Sequence, residues 1–293
     1  MEPYFKDKRR VASAFNRAAR AYDTIAEFQR IVAERLLERL DYMRIAPRAL
    51  LDLGAGRGRA AKALSRRFAG AEIVESDLAF RMLRPADGVF ARWFGRRRGV
   101  CADAERLPFA SASFDLIFSS LMLQWCNDPE TVFTEIRRVL RPSGLVIFST
   151  LGPDTLRELR ESWSSADDGV HVNAFIDMHD LGDALVHAGL ADPVMETERF
   201  TLTYDDGRAL MRDLKSLGAQ NANAGRRRTL TGKARLRNML EAYERHRRDG
   251  RLPATYEVVY GHAWRPEGEP ERAPGLAVIP VSAIIRRGRR DGG

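Results

Sequence analysis

Apolar residues recur along this chain in two rhythms, and the alternation between them lays out an architecture. Between residues 13 and 40 the spacing is helical: Phe15, Ala19, Tyr22 and Ala26, then Ile25, Phe28, Val32, Leu36 and Leu40, as expected of helices that turn one face to a core. An unbroken apolar run follows at Ala49, Leu50, Leu51 and Leu53. It breaks into alternating glycines at 54, 56 and 58 and passes at once to a helical pattern at Ala60, Ala61, Leu64 and Phe68. That is strand, tight turn and helix. Further short runs predict strands near Ile73 and Val74 and over 99–102, 113–120 and 145–149. Helices are expected around Met82 and Leu83 and through Val132, Phe133, Ile136, Val139 and Leu140, with a turn over 141–144. Repeated βα units of this kind argue for a right-handed parallel sheet. A helix over 177–188 and strands over 194–202 and 254–264 complete the pattern.

Between those last two strands the rhythm is helical again. Asp206 is placed to cap a helix whose apolar face is Leu210, Met211, Leu214 and Leu217 and which stops at Gly218. A second helix follows Thr231, with Leu236, Met239, Leu240 and Tyr243 on one face. The expected layout is therefore a helical cap over 1–45, a core over 46–202, a helical insertion over 203–252 that serves as a lid, a last core strand over 253–264 and a basic tail over 265–293. That tail is rich in Pro, Gly and Arg, apart from an apolar stretch over 276–281.

Composition narrows the setting. The chain has 293 residues, 44% of them hydrophobic, which suits one large α/β domain with an insertion. Its two cysteines, Cys101 and Cys126, offer no disulfide or metal framework. The first residues lack the apolar core of a secretion signal, and no run is long enough to span a membrane, so a cytoplasmic protein is expected. Lys and Arg outnumber Asp and Glu by 48 to 40. Arginine clusters at 96–98, 226–228 and 286–287 suit an acidic partner.

The candidate chemistry gathers at strand ends. A glycine turn after a buried strand lets a ligand lie against bare backbone. The dinucleotide fingerprint would need glycine at position 59, where Arg59 stands; the third glycine is Gly58 and Asp52 precedes the turn. Asp77, at the end of the second strand, can accept hydrogen bonds from both hydroxyls of a ribose, with Glu75 as the rival for that role. Asp103 can accept from an exocyclic amine of adenine beside the Ala104 amide, and Ser119 and Ser120 end the fourth strand. Ligands of open parallel sheets bind outside such strand ends.

The D-x-G-x-G-x-G form of residues 52–58 resembles the first motif of the Rossmann-like S-adenosylmethionine (SAM) methyltransferases. More of the chain, from Phe15 to about Trp264, resembles the malonyl-acyl carrier protein O-methyltransferases of biotin synthesis. The resemblance is carried by Phe15 to Asp23, the glycine turn, 102–105 with 107–109, 123–128, 149–153 with Thr155 and Leu156, His171-Val172, 210–214 with Gly218, Ala219 and Asn221, and 252–258. The chain departs from that pattern at Ala55 and Arg57, where the family often has Cys and Thr, and in its longer tail. The resemblance implies a seven-stranded Rossmann-like α/β sheet with helices on both faces and an insertion before the last strand. It implies SAM as cofactor, held by Asp52, Gly54, Ala55, Gly56, Asp77, Leu78, Asp103, Ala104 and Ser120, and no metal. It also implies a malonyl-acyl carrier protein as substrate and partner, with Tyr22, His171, Arg212 and His262 as candidates to orient the free carboxylate. Arg226, Arg227, Arg228, Lys233 and Arg235 would dock the acidic carrier. A malonyl carboxylate has a pKa at or below about 4.3, so no general base is needed. Rival readings are an RNA or small-molecule methyltransferase, a protein arginine hydroxylase or assembly factor of the same fold, and a non-catalytic interaction protein. The lack of an RNA-binding module argues against nucleic acid.

Overall fold

The computed structural model describes residues 5–83, 97–219, 221–223 and 232–268. Its centre is a seven-stranded sheet: β1 (Ala49–Leu53), β2 (Glu72–Asp77), β3 (Arg97–Cys101), β4 (Phe114–Ser120), β5 (Leu140–Leu151), β6 (Ala191–Tyr204) and β7 (Leu252–Trp264), in the order β3-β2-β1-β4-β5-β7-β6. The pairings β1–β2, β1–β4, β2–β3 and β4–β5 are parallel, as the βα repeats predict. β7 departs from them, pairing antiparallel with both β5 and β6. Because β7 is reversed, β6 runs with the parallel strands. Its end at Tyr204 therefore reaches the same edge as the carboxyl ends of β1, β2, β4 and β5.

Alternation along the strands separates two apolar layers. Leu50, Leu116, Leu145, Ile147, Val258 and Tyr260 face one layer with Val32 and Leu36 of α3 (Glu27–Arg39) and Leu159 and Trp163 of α6 (Arg157–Ser164). Leu51, Ile117, Val146, Phe148 and Val259 face the other, with α5 (Pro129–Val139) and α7 (Met178–His187). A strand buried on both faces needs apolar residues at consecutive positions, which is why these strands read as unbroken apolar runs.

Of the remaining helices, α1 (Lys8–Ala18), α2 (Tyr22–Ile25) and α8 (Gly207–Ser216) reach the carboxyl edge, while α4 (Arg59–Arg67) packs with α3 on the sheet face. α1 is capped by Asp7, whose side chain accepts from the Arg10 N–H. α2 and α3 follow, so the helical region expected over 13–40 is divided among α1, α2 and α3. α4 starts at Gly58, in the left-handed conformation at φ 74°. α8 and α9 (Lys233–Glu244) lie between β6 and β7. Asp206 caps α8 by accepting from the Ala209 N–H, and Gly218 leaves that helix at φ 78°.

Other expectations are corrected. Met82 and Leu83, expected in a helix, lie in a turn. The stretch over 141–144 is an irregularity within β5, where the register against β4 passes from Phe114↔Leu140 to Leu116↔Leu145. α6 had no expectation. Its buried Glu158 accepts hydrogen bonds from the backbone and side chain of Thr255 on β7. Arg226, Arg227, Arg228, Arg96 and the apolar stretch over 276–281 lie outside the described residues.

Candidate functional site

A cavity of about 460 Å³ opens at the carboxyl edge between the glycine turn and the helices α1, α2 and α8. A hollow of about 80 Å³ adjoins it and shares Tyr22, Gly54, Gly56, Ser120 and Leu121 with its wall. Both follow from topology. The carboxyl ends of β1, β2 and β4 diverge into loops there, and the reversed β7 brings the insertion to the same side.

The turn itself is tightly drawn. The Gly54 and Ala55 N–H groups both donate to the Ser76 carbonyl, at 2.8 and 3.0 Å, which pins the turn to β2. Gly54 has φ 79°, and a Cβ there would stand 2.5 Å from the Met122 side chain. No other residue fits at that point. Beside it Asp77 Oδ2 accepts from the Gly56 N–H at 2.9 Å and Oδ1 from the Ala79 N–H at 2.7 Å. Burial pushes the Asp77 carboxyl above the ordinary aspartate value, against the pull of those two donors. Asp77 lines the cavity, whereas Glu75, one pleat further back on β2, does not.

The other residues expected at a cofactor are placed as follows. Leu78, Asp103, Ala104 and Ser120 line the larger cavity. Asp52 and Ala55 line the smaller hollow, and Asp52 Oδ2 also accepts from the Ala61 N–H at 3.0 Å, tying β1 to α4. Asp103 has a partner that the sequence did not reveal: Lys8 of α1 reaches it at 2.5 Å and Glu105 at 2.8 Å. Burial draws the Lys8 ammonium down, but its hydrogen bonds to Asp103 and Glu105 leave it above the ordinary lysine value. Ser120 Oγ lies 3.2 Å from Ser149 Oγ.

The four residues expected at the substrate carboxylate separate. Tyr22 and His171 line the cavity. Burial, and then the charges of Asp77 and Asp23, push the Tyr22 phenol well above its ordinary value, so it stays a hydroxyl donor. His171 stacks on Trp163 with ring centroids 3.7 Å apart, and its Nε2 lies 2.6 Å from Asp167 Oδ1. Arg212 and His262 are elsewhere. Arg212 is exposed on the face of α8 opposite the Leu210, Met211 and Leu214 stripe. His262 pairs with Ile147 and Val194 towards the carboxyl end of β7. Since β7 is reversed, that end lies at the opposite edge of the sheet. Tyr256, near its amino end, reaches the cavity instead.

Of the expected docking residues, Lys233 is exposed at the start of α9. Arg235, its side chain 42% exposed, lies with Nε 3.8 Å from Asp167 Oδ2. Sequence reasoning missed Lys8, Asp167, Trp125 and Asp213, the last of which accepts from the Tyr204 hydroxyl at 2.8 Å. Lys8 and Asp167 pair with residues distant in the chain, and no local motif signals such pairings. Among the described residues no cluster of three or more His, Cys, Asp or Glu could hold a metal, and no helix is long and apolar enough to cross a membrane.

A methyltransferase domain family matches residues 51–148, which run from β1 into β5. Among solved structures, the YcgJ protein of Bacillus subtilis superposes with a TM-score of 0.56 at 19% identity, over 80% of this chain and 98% of that one. The 4+2 cyclase SpnF superposes with a TM-score of 0.50 at 21% identity, over 82% of this chain and 81% of that one. These likenesses identify a fold that different chemistries share. The sequence relatives are more specific. A malonyl-acyl carrier protein O-methyltransferase from Methylovorus sp. is 51% identical over 283 residues, 95% of this chain and 96% of the relative. Proteins of that name from Laribacter hongkongensis (53% identity, 92% of this chain and 94% of the relative) and Legionella pneumophila (39%, 94% and 98%) align similarly. With its glycine turn, its strand-end acids and its cavity on the side where that fold binds ligands, this chain belongs to the malonyl-acyl carrier protein O-methyltransferase family.

Proposed function

We propose that the chain methylates the free carboxylate of a malonyl thioester, carried on an acyl carrier protein in the cytoplasm, to give the methyl ester. The observation that carries this reading is one cavity holding two kinds of wall. Bare glycine backbone beside the Asp77 carboxylate suits a nucleoside, and an apolar chamber adjoins it, lined by Phe15, Trp125, Leu156, Met211 and Leu214. We assign SAM to the first, held by Asp77 at the ribose, Asp103 and Ala104 at the base, and Gly54, Gly56, Leu78 and Ser120 along the wall. Asp52 and Ala55 shape the turn from behind. When bound, SAM supplies an electrophilic methyl group on a cationic sulfur.

The chain's own residues then have three tasks. Asp77 and Asp103 hold the donor. The aromatic and aliphatic wall excludes water from a pair of opposite charges that vanishes on transfer, so a dry site favours the reaction. Tyr22 and His171 orient the carboxylate, since a weak nucleophile gains most from alignment. No residue needs to remove a proton. We assign Arg226–Arg228 and Lys233 to docking of the acidic carrier.

The test is mass spectrometry of malonyl-loaded carrier protein after incubation with SAM. The expected result is a gain of one methyl group, released by mild alkali as an ester. An alkali-stable product, or methyl label appearing in RNA in place of the carrier, overturns the reading.

A further inference from the structure

Asp167 is a buried carboxylate that these roles leave without a task. It sits in the loop after α6 with its side chain 10% exposed, and three groups converge on it. His171 Nε2 lies 2.6 Å and the Gly169 nitrogen 2.8 Å from Oδ1, while Arg235 Nε lies 3.8 Å from Oδ2. His171, 14% exposed, lies flat on Trp163 at an interplanar angle of 7°, and both rings belong to the cavity wall. Gly169 makes the arrangement possible. A Cβ there would stand 2.9 Å from Asp167 Oδ1 and 3.1 Å from His171 Nε2, intruding on the hydrogen bond. The loop thus locks one edge of an imidazole. The other ring nitrogen, Nδ1, has no hydrogen-bond partner among the described residues and is left for a ligand in the cavity.

We propose that Asp167 is a positioning residue for the substrate: it holds the Nε2–H of His171 and so presents Nδ1–H to the malonyl carboxylate. This rests on the reading that His171 orients that carboxylate. An imidazole between two carboxylates must donate from both nitrogens, and only the doubly protonated ring can do so. Asp167 supplies the counter-charge for that ring. The stack on Trp163 fixes the ring's plane, and Arg235 steadies the second Asp167 oxygen from α9. A histidine oriented by a carboxylate on its far nitrogen is a recurring device wherever one ring nitrogen must meet a ligand in a fixed direction.

The discriminating variant is Asp167→Asn, which keeps size and hydrogen bonding but can turn an amide N–H towards Nε2 and so oppose double protonation. It is expected to raise KM for a small malonyl thioester by about ten- to hundredfold, the effect of losing a charge-assisted hydrogen bond, with SAM affinity and Tm close to wild type. His171→Gln should give a similar loss, and the double variant should be no worse than His171→Gln alone. Nitrogen-15 spectra of histidine-labelled wild type, with S-adenosylhomocysteine and the malonyl thioester bound, should show both His171 ring nitrogens protonated. An unchanged KM in Asp167→Asn beside a raised KM in His171→Gln overturns the role of Asp167 alone. Additive losses in the double variant would make Asp167 a structural residue and overturn it too. A singly protonated wild-type ring in the ternary complex refutes the proposal whether or not the variants fold. No effect of His171→Gln removes the substrate role of His171, and this inference with it.

Discussion

Replacing Asp77 by alanine tests the cofactor half of the cavity. Each oxygen of this carboxylate already accepts one backbone N–H, from Gly56 and from Ala79. Each keeps a second lone pair, so the group can hold the glycine turn and still receive a ribose diol. A hydrogen bond to a charged acceptor is worth about 1.5–3 kcal/mol. At about 1.4 kcal/mol per tenfold change, Asp77→Ala should weaken SAM and S-adenosylhomocysteine binding by about ten- to hundredfold in titration calorimetry. Acidity offers a second readout. Burial raises the Asp77 carboxyl above its ordinary value of 3.8. Protonation of the wild type, and with it loss of SAM affinity, should thus begin at a higher pH than for an ordinary aspartate, and that component should vanish in the variant. The sign for stability runs the other way. With the folded value raised, the contribution of the protonated group is present below the unfolded value and lost as pH rises through the folded one. At neutral pH the buried charge therefore burdens the empty protein, and Asp77→Ala should destabilise it by less than two lost hydrogen bonds suggest. Unchanged SAM affinity in Asp77→Ala, with affinity lost in Glu75→Ala, would refute the assignment and move the role one pleat back on β2.

Two further outcomes follow from other parts of the molecule. A Cβ on Gly261 would collide with the buried Phe148 ring opposite it on β5; Gly261→Ala should cost about 1–3 kcal/mol, seen as a Tm lowered by several degrees with SAM affinity little changed. Reversing Arg226, Arg227 and Arg228 to glutamate should raise KM for the malonyl-carrier protein at least about tenfold at low salt, since several exposed pairs must act together. It should spare a small malonyl thioester, and equal losses on both substrates would place those arginines in the lid's fold or the active site instead.

What was legible in the sequence is what periodicity and local backbone chemistry encode. Consecutive apolar residues such as Leu50 and Leu51 marked strands buried on both faces, the glycines marked the turn, and Asp206 and Gly218 marked the two ends of α8. Direction and facing were not legible in that way. His262 and Tyr256 stand on one strand, and only the reversal of β7 decides that Tyr256 reaches the cavity. Arg212 follows Met211 by a single residue, yet a helix turns about 100° per residue, which points Met211 in and Arg212 out. The pairings of Lys8 with Asp103 and of Arg235 with Asp167 join residues far apart in the chain and leave no local pattern. The breaks between the N-terminal helices, at residues 19–21 and at Ala26, likewise leave no mark in the apolar spacing.

The pairing of Tyr204 with Leu252 means that the segment 205–251 departs and returns on neighbouring strands, about 4.8 Å apart. The two ends of the segment meet, while Leu210, Met239 and Tyr243 anchor its helices in the core on one face of the sheet. Its length can change without shifting either strand, and each doubling adds only about 0.6 kcal/mol of closure entropy. On the docking proposed above, the donor end of the cavity and the segment assigned to the acyl carrier are free to vary at different rates, and exchanging that segment is a route to new acyl acceptors.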